Sequence, residues 1–303
     1  MSGNAVGGSA PAELSGSESG NSTDVERAVS GDAPFLVIEP RRGFGALDLR
    51  ELWHYRDLLY FLTWREISIR YKQTLLGFAW AIIQPLTAMV VFTVFLGKLA
   101  KVPSDGIPYP VFSYLGLLPW TYFANAVTRS GGSLVANANL LSKVYFPRVL
   151  IPLSGVLSAA VDFAIAFVVL LGLMLWYDIT PAWSTLWLLP LTVLTALASF
   201  GVGTWLASLN VKYRDVQHAV PFLIQVWMYA TPVVYPASIV PSRWRTLFAL
   251  NPLAGIVEAY RAATLGRPLD WSTLGVSAGA TLALAIGGTV AFRRMERQFA
   301  DIV

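Results

Sequence analysis

Residues 78–97 read FAWAIIQPLTAMVVFTVFLG. The run carries no charged side chain, and its length is what an α-helix needs to cross bilayer hydrocarbon, about 20 residues at about 1.5 Å each. It does not stand alone. The whole chain is 55% hydrophobic and only 13% charged, where an ordinary soluble domain carries about 25% charged residues. So little polar surface cannot cover one water-soluble core, and the bilayer is the solvent that fits this composition.

Outward from that run, five further stretches qualify or nearly qualify as spans. They are Ile107–Val127, interrupted by Pro119; Val149–Tyr177; Ala182–Leu209; Ala219–Tyr235, short and containing Pro221 and Pro232; and Trp271–Phe292. Gln84-Pro85 and Pro119-Trp120 mark expected kinks. Residues 236–270 are semi-apolar but broken by Pro236, Pro241, Pro252, Gly255, Gly266 and Pro268. Broken backbone at membrane depth survives only where protein or water covers it, so a re-entrant or interfacial hairpin is expected there. The expected fold is an all-α integral membrane protein: six transmembrane helices, an N-terminal interfacial helix and a re-entrant hairpin between spans five and six.

Of the 22 Lys and Arg, 16 fall on the side of the membrane that holds both termini. The positive-inside rule then places both termini in the cytoplasm. Trp176, Tyr177, Trp183 and Trp187 bracket the third loop and Trp271 opens the last span, as expected of an aromatic belt. Residues 1–45 are Gly/Ser-rich and weakly acidic without an apolar h-region, the composition of a disordered tail and not of a signal peptide. Asn21-Ser22-Thr23 is read as a chance sequon in that tail.

Residues 50–73, RELWHYRDLLYFLTWREISIRYKQ, place Leu52, Tyr55, Leu59 and Leu62 at helical spacing, then Trp64, Ile67, Tyr71 and Leu75. Arg50, His54, Asp57, Arg65, Ser68 and Lys72 lie off those stripes. The pattern is a basic amphipathic helix suited to the cytoplasmic interface, either a passive anchor or a lever on a partner. Its candidate side chains are Trp53, Arg56, Trp64, Arg65 and Arg70. Residues 137–152, NANLLSKVYFPRVLIP, read as a short helix of Leu140, Leu141, Lys143, Val144 and Tyr145 that ends before Pro147. It is a docking knob or an ordinary loop.

Asp162 sits inside the third span. A carboxylate there costs about 2.5–3.5 kcal/mol on insertion scales, so it must face protein or water and find a partner. Pathway lining, a proton relay and a structural contact are all open, although a relay needs further intramembrane acids or histidines and the spans hold none. Trp120, Tyr122 and Phe123, and later Trp227, Tyr229 and Tyr235, are dense aromatics. Such rings pack against sugar faces as readily as against other helices.

Catalytic signatures are missing from the string. Gly97-Lys98 is followed by Leu and lacks an upstream glycine, so no phosphate-cradling Walker loop exists. No H-E-x-x-H, G-x-S-x-G or paired-acid pattern occurs. His54 and His218 are not spaced as metal ligands, and with no cysteine there is no disulfide, Cys-zinc or redox site.

Six ordered motifs carry a resemblance. They are RDLLYFLTWREISIRYKQTLLGFAWAIIQPL (56–86), GLLPWTYFANAV (116–127), LLSKVYFPR (140–148), LNVKYRDV (209–216), YATPVVYP (229–236) and NPLAGIVEAYR (251–261). Together they resemble the Wzm-like and teichoic-acid-type ABC type-2 permeases, the transmembrane subunits of bacterial polysaccharide exporters. The resemblance covers residues 50 to about 296. The chain is expected to divide into a tail over 1–45, which departs from the family pattern, an interfacial helix region over 46–77 and an ABC type-2 transmembrane domain over 78–303. The resemblance implies a homodimer in the bacterial cytoplasmic (inner) membrane, two cytoplasmic ATPase subunits that bind ATP and Mg, and a lipid-linked O-antigen, galactan or teichoic-acid type substrate. No cofactor on this chain, no catalytic or metal residue and no nucleic-acid partner is expected. Leu141, Lys143, Tyr145, Phe146 and Arg148 match the family's ATPase-coupling helix. Trp120, Tyr122, Phe123, Asp162, Trp227 and Tyr229 become channel candidates. An ABC type-2 exporter of a drug or small lipid, and an ion-coupled secondary transporter, stay open as rivals.

Overall fold

The computed structural model describes residues 49–72, 77–141, 143–213 and 215–296. The tail expected over 1–45 and Leu75 of the second apolar stripe lie outside the described residues.

Every regular element described is helical. In chain order they are α1 (Leu49–His54), α2 (Arg56–Lys72), α3 (Ala79–Phe92, extended by a π-helical turn Thr93–Leu99), α4 (Tyr109–Ala136), α5 (Ala138–Leu141) and α6 (Leu150–Trp176). A 3-10 turn, Trp183–Trp187, leads into α7 (Leu188–Lys212), followed by α8 (Val216–Tyr229), α9 (Arg245–Ala249), α10 (Pro252–Thr264) and α11 (Trp271–Glu296).

Among the described residues four helical stretches, not six, are long and apolar enough to cross a membrane: Ala79–Leu99, Leu150–Trp176, Trp183–Lys212 and Trp271–Glu296. They fall on the first, third, fourth and last of the expected spans. The second expected span became α4, which has the length but not the apolar composition. Helix α4 is the buried axis of the bundle and packs on α6, α7 and α10. Its Ser113, Tyr114, Trp120 and Ser130 therefore face other helices, and that mixture dilutes its hydropathy. The fifth expected span shrinks to α8, whose 14 residues are too few to cross about 30 Å of hydrocarbon. Helices α3 and α4 run continuously through Pro85 and Pro119.

The re-entrant hairpin expected over 236–270 is also not clearly present. Two 3-10 turns and the five-residue α9 lead instead into α10, a helix buried along nearly its whole length. The broken backbone before them, residues 231–235, is held by side chains. Arg261 Nη2 donates to the Val233 carbonyl at 2.7 Å and its guanidinium lies 3.7 Å from the Phe112 ring centre. The Tyr109 hydroxyl donates to the Val234 carbonyl at 2.7 Å, and Asn251 Nδ2 donates to the Thr231 hydroxyl at 2.9 Å. These bonds satisfy carbonyls and hydroxyls that helix hydrogen bonds leave open.

Small residues set the closest helix crossings. A Cβ placed on Gly288 of α11 would stand 2.0 Å from the Gly201 carbonyl oxygen of α7. Only glycine lets these two backbones approach so closely.

At one end of the bundle, Leu62, Leu134, Phe146, Leu150, Ala207, Val211 and Phe292 form a single apolar cluster. It joins α2, the C-terminal ends of α4, α7 and α11, and the segment entering α6. Lys143, Arg148, Lys212 and Arg293 belong to the same segments, and this is called the basic end below.

Candidate functional site

Two features converge toward the basic end: the link between α2 and the bundle, and the segment 137–149. Leu52, Tyr55, Leu59 and Leu62 pack on the apolar cluster, with Leu62 fully buried. The opposite side of the helix is apolar as well, since Tyr60, Phe61, Trp64 and Ile69 are exposed. Trp53 is exposed too, with the Arg56 guanidinium 5.4 Å from its ring centre.

Arg65, which the sequence places off the apolar stripes, and Arg70, another candidate of this helix, turn out to be the fasteners. Arg65 donates to Oδ1 of Asn137, the residue that caps the C-terminus of α4. Arg70 donates to Oδ2 of Asp162 on α6, and the adjacent Tyr71 hydroxyl donates to Oδ1. Arg129 of α4 donates from Nη2 to the same Oδ2 and from Nη1 to the Ser158 hydroxyl at 3.2 Å. One carboxylate thus ties three helices together. The side chains of Asp162 and Arg129 are 11% and 14% exposed, that of Arg70 46%.

The spacing of these bonds fixes how α2 runs. Arg65 and Arg70 are about 8 Å apart along α2, while Asn137 and Arg129 are about 12 Å apart along α4. Asp162 lies about 18 Å beyond Leu150, the first residue of α6. Helix α2 therefore climbs beside α4 and α6 from their basic ends toward their middles.

Asp162 also borders an open cavity of about 270 Å³ lined by residues of α2, α3, α4 and α6. Of the other aromatic candidates, Tyr122 lines this cavity. Trp120 and Phe123 are buried in the core, where Phe123 meets Trp227 edge-on at 5.1 Å. Trp227 Nε1 donates to Asn251 Oδ1 at 3.1 Å, whereas Tyr229 is exposed on α8. The six channel candidates are therefore not gathered around one space within a single chain.

In the 137–149 segment the helix stops at Leu141, although the Val144 amide still reaches the Leu140 carbonyl at 3.2 Å. The longer helix expected up to Pro147 is not formed. Leu141 packs on the basic-end cluster and Phe146 is buried in it. Lys143 and Val144 are exposed, and Tyr145 is 83% exposed. Arg148 Nη1 donates to the Glu296 carbonyl at 2.7 Å, joining this segment to the end of α11. Among the described residues no group of three or more His, Asp or Glu could hold a metal ion.

Residues 57–265 match the family model for the ABC-2 type transporter. The chain belongs to that family. It is a membrane permease subunit of an ABC-type exporter and not an enzyme. The permease is 33% identical over 260 residues to the O-antigen export system permease protein RfbA of Myxococcus xanthus, covering 84% of this chain and 98% of that one. An RfbA of Klebsiella pneumoniae is 30% identical over 250 residues, 82% and 95% of the two chains. The polysialic acid transport protein KpsM of Escherichia coli is 26% identical over 209 residues, 66% and 78%.

The residues that sequence reasoning did not connect are Arg129 and Tyr71. Arg129 lies two residues past the expected span Ile107–Val127, yet it sits within α4. A lone carboxylate inside a span demands a cation nearby, so an arginine at a helix interior was the available signal.

Proposed function

We propose that this chain is the channel-forming subunit of an ATP-driven exporter that moves a lipid-linked cell-surface polysaccharide across the bacterial cytoplasmic membrane. It works as a homodimer with two cytoplasmic ATPase subunits, its basic end and both termini facing the cytoplasm. The observation that carries the reading is the near full-length similarity to two O-antigen export permeases. The missing phosphate-cradling loop adds to it, since ATP chemistry must then come from another polypeptide.

The segment 139–148 is the coupling element in this reading. Tyr145 offers an exposed aromatic ring to the ATPase, while Phe146 anchors the segment in the basic-end cluster. Helix α2 moves with it, through Leu62 below and through Asp162 above. The partners of Asp162 also weigh against an ion-coupled transporter. A carboxylate holding two guanidiniums and a tyrosine hydroxyl is built as a joint, not as a proton carrier.

The test is removal of this chain from its own host. Surface polysaccharide should disappear while lipid-linked polymer accumulates inside, and the Tyr145→Ala variant should restore the chain but not export. Undiminished surface polysaccharide in the deletion strain would sink the proposal.

A further inference from the structure

The cavity beside Asp162 holds polar groups that its joint does not use. Gln84 of α3 is exposed and Asn125 of α4 is half-buried, and both side-chain amides line the cavity. Neither makes a hydrogen bond to another described residue. Each amide offers both donors and an acceptor that no neighbouring side chain uses, so two of them facing one space suit a polar occupant. Trp80 lines the same space with an exposed indole, and Tyr71 and Tyr122 add two more rings.

The occupant's chemistry follows from these groups. A lipid tail would leave both amides without partners. A free cation would be repelled by the surplus charge of two guanidiniums around one carboxylate, and a free anion, which only accepts, would leave both amide carbonyls without a donor. A sugar ring satisfies the set. Its hydroxyls both donate and accept, as amides require, and its C–H face stacks on an aromatic ring. The volume holds roughly nine waters at about 30 Å³ each, the size of one sugar unit.

We propose that this cavity is a sugar-binding station, in which Gln84 and Asn125 hydrogen-bond one unit of the polymer and Trp80 stacks against it. The inference rests on the polysaccharide reading above. Tyr71 and Arg70 form one wall of the station from α2, so a shift of α2 changes its shape.

The experiment places the photoreactive amino acid p-benzoylphenylalanine at position 80 of the full chain, in polymer-producing cells with its ATPase present. Position 168, exposed on α6 and outside the cavity, serves as the control. Irradiation should attach the native polymer at 80, giving a carbohydrate-stained product at least tenfold above that from 168. Asn125→Leu and Gln84→Leu should each lower the yield about fivefold, per molecule of permease recovered with its ATPase. Equal carbohydrate yields at 80 and 168, or a phospholipid-only product at 80, would overturn the station while export persists. Surface polymer that does not depend on this chain would instead overturn the polysaccharide reading.

Discussion

Arg129 in the last third of α4 and Asp162 at the middle of α6 form a buried ion pair between two packed helices, 33 residues apart in sequence. Arg70 reaches the same carboxylate oxygen from α2 but keeps nearly half its side chain exposed. The pair is a joint, and its two cations should not weigh equally.

Removing one partner of a buried pair strands the other charge, at a cost of about 3–5 kcal/mol. Arg129→Met and Asp162→Asn should therefore each lower the thermal stability of the detergent-purified permease by amounts in that range. Arg70→Met should cost well under half as much. The double variant Arg129→Leu/Asp162→Leu should be milder than the sum of its singles. Equal losses for Arg70 and Arg129 in thermal melts would show that burial does not rank them.

Tyr145 and Phe146 are neighbours with opposite surroundings. Phe146→Ala empties a core position and should destabilise by about 3–5 kcal/mol. Tyr145→Ala touches no core and should stay within about 0.5 kcal/mol of the parent, yet halve or worse the ATPase activity measured in the assembled complex. Thermal melts and ATP turnover on the same preparations separate the two effects.

The crossing of α7 and α11 gives a sharper contrast. Gly288→Ala forces a methyl group against the Gly201 backbone, whereas Gly287 faces open space. The Gly288 variant should be recovered in poor yield with a lowered melting temperature. The Gly287 variant should match the parent in both size-exclusion profile and melting temperature.

Asp270 caps α11 from outside the membrane span, accepting from the Ser272 and Thr273 amides at 3.1 and 3.2 Å and from both of their hydroxyls. Those hydrogen bonds hold its carboxyl down at about 2, below the ordinary value of about 3.9. A depressed pKa gives stability that is complete above the unfolded value and is lost as pH falls through the folded one. The cap should therefore hold above about pH 4 and weaken toward pH 2. Asp270→Ala should cost about 1 kcal/mol at neutral pH, and its deficit should shrink in melts taken across that acid window.

The sequence made four spans legible because they are what the residue pattern measures directly: long apolar runs such as 78–97 and 150–176 that face a lipid-like surface. Helix α4 shows where that measure misleads: Ile107–Val127 reads as a span, yet its neighbours are protein and its Ser130 and Tyr114 pack rather than dissolve in lipid. The need of Asp162 for a partner was readable, but its partners were not. They arrive from α2 and α4, and which helix lies beside which is a tertiary fact that periodicity does not carry. The aromatic candidates show the same limit. Trp120 and Tyr122 are two residues apart, yet one packs in the core and the other borders a cavity.

The central claim is that a separate ATPase drives polymer through this permease. It is tested most directly in inverted membrane vesicles containing this chain and its ATPase, supplied with lipid-linked polymer and scored for polymer protected inside. The account predicts protection that requires ATP, vanishes when the ATPase carries a Walker-lysine substitution and survives an ionophore. Protection that persists with the inactive ATPase and collapses on adding ionophore would contradict it.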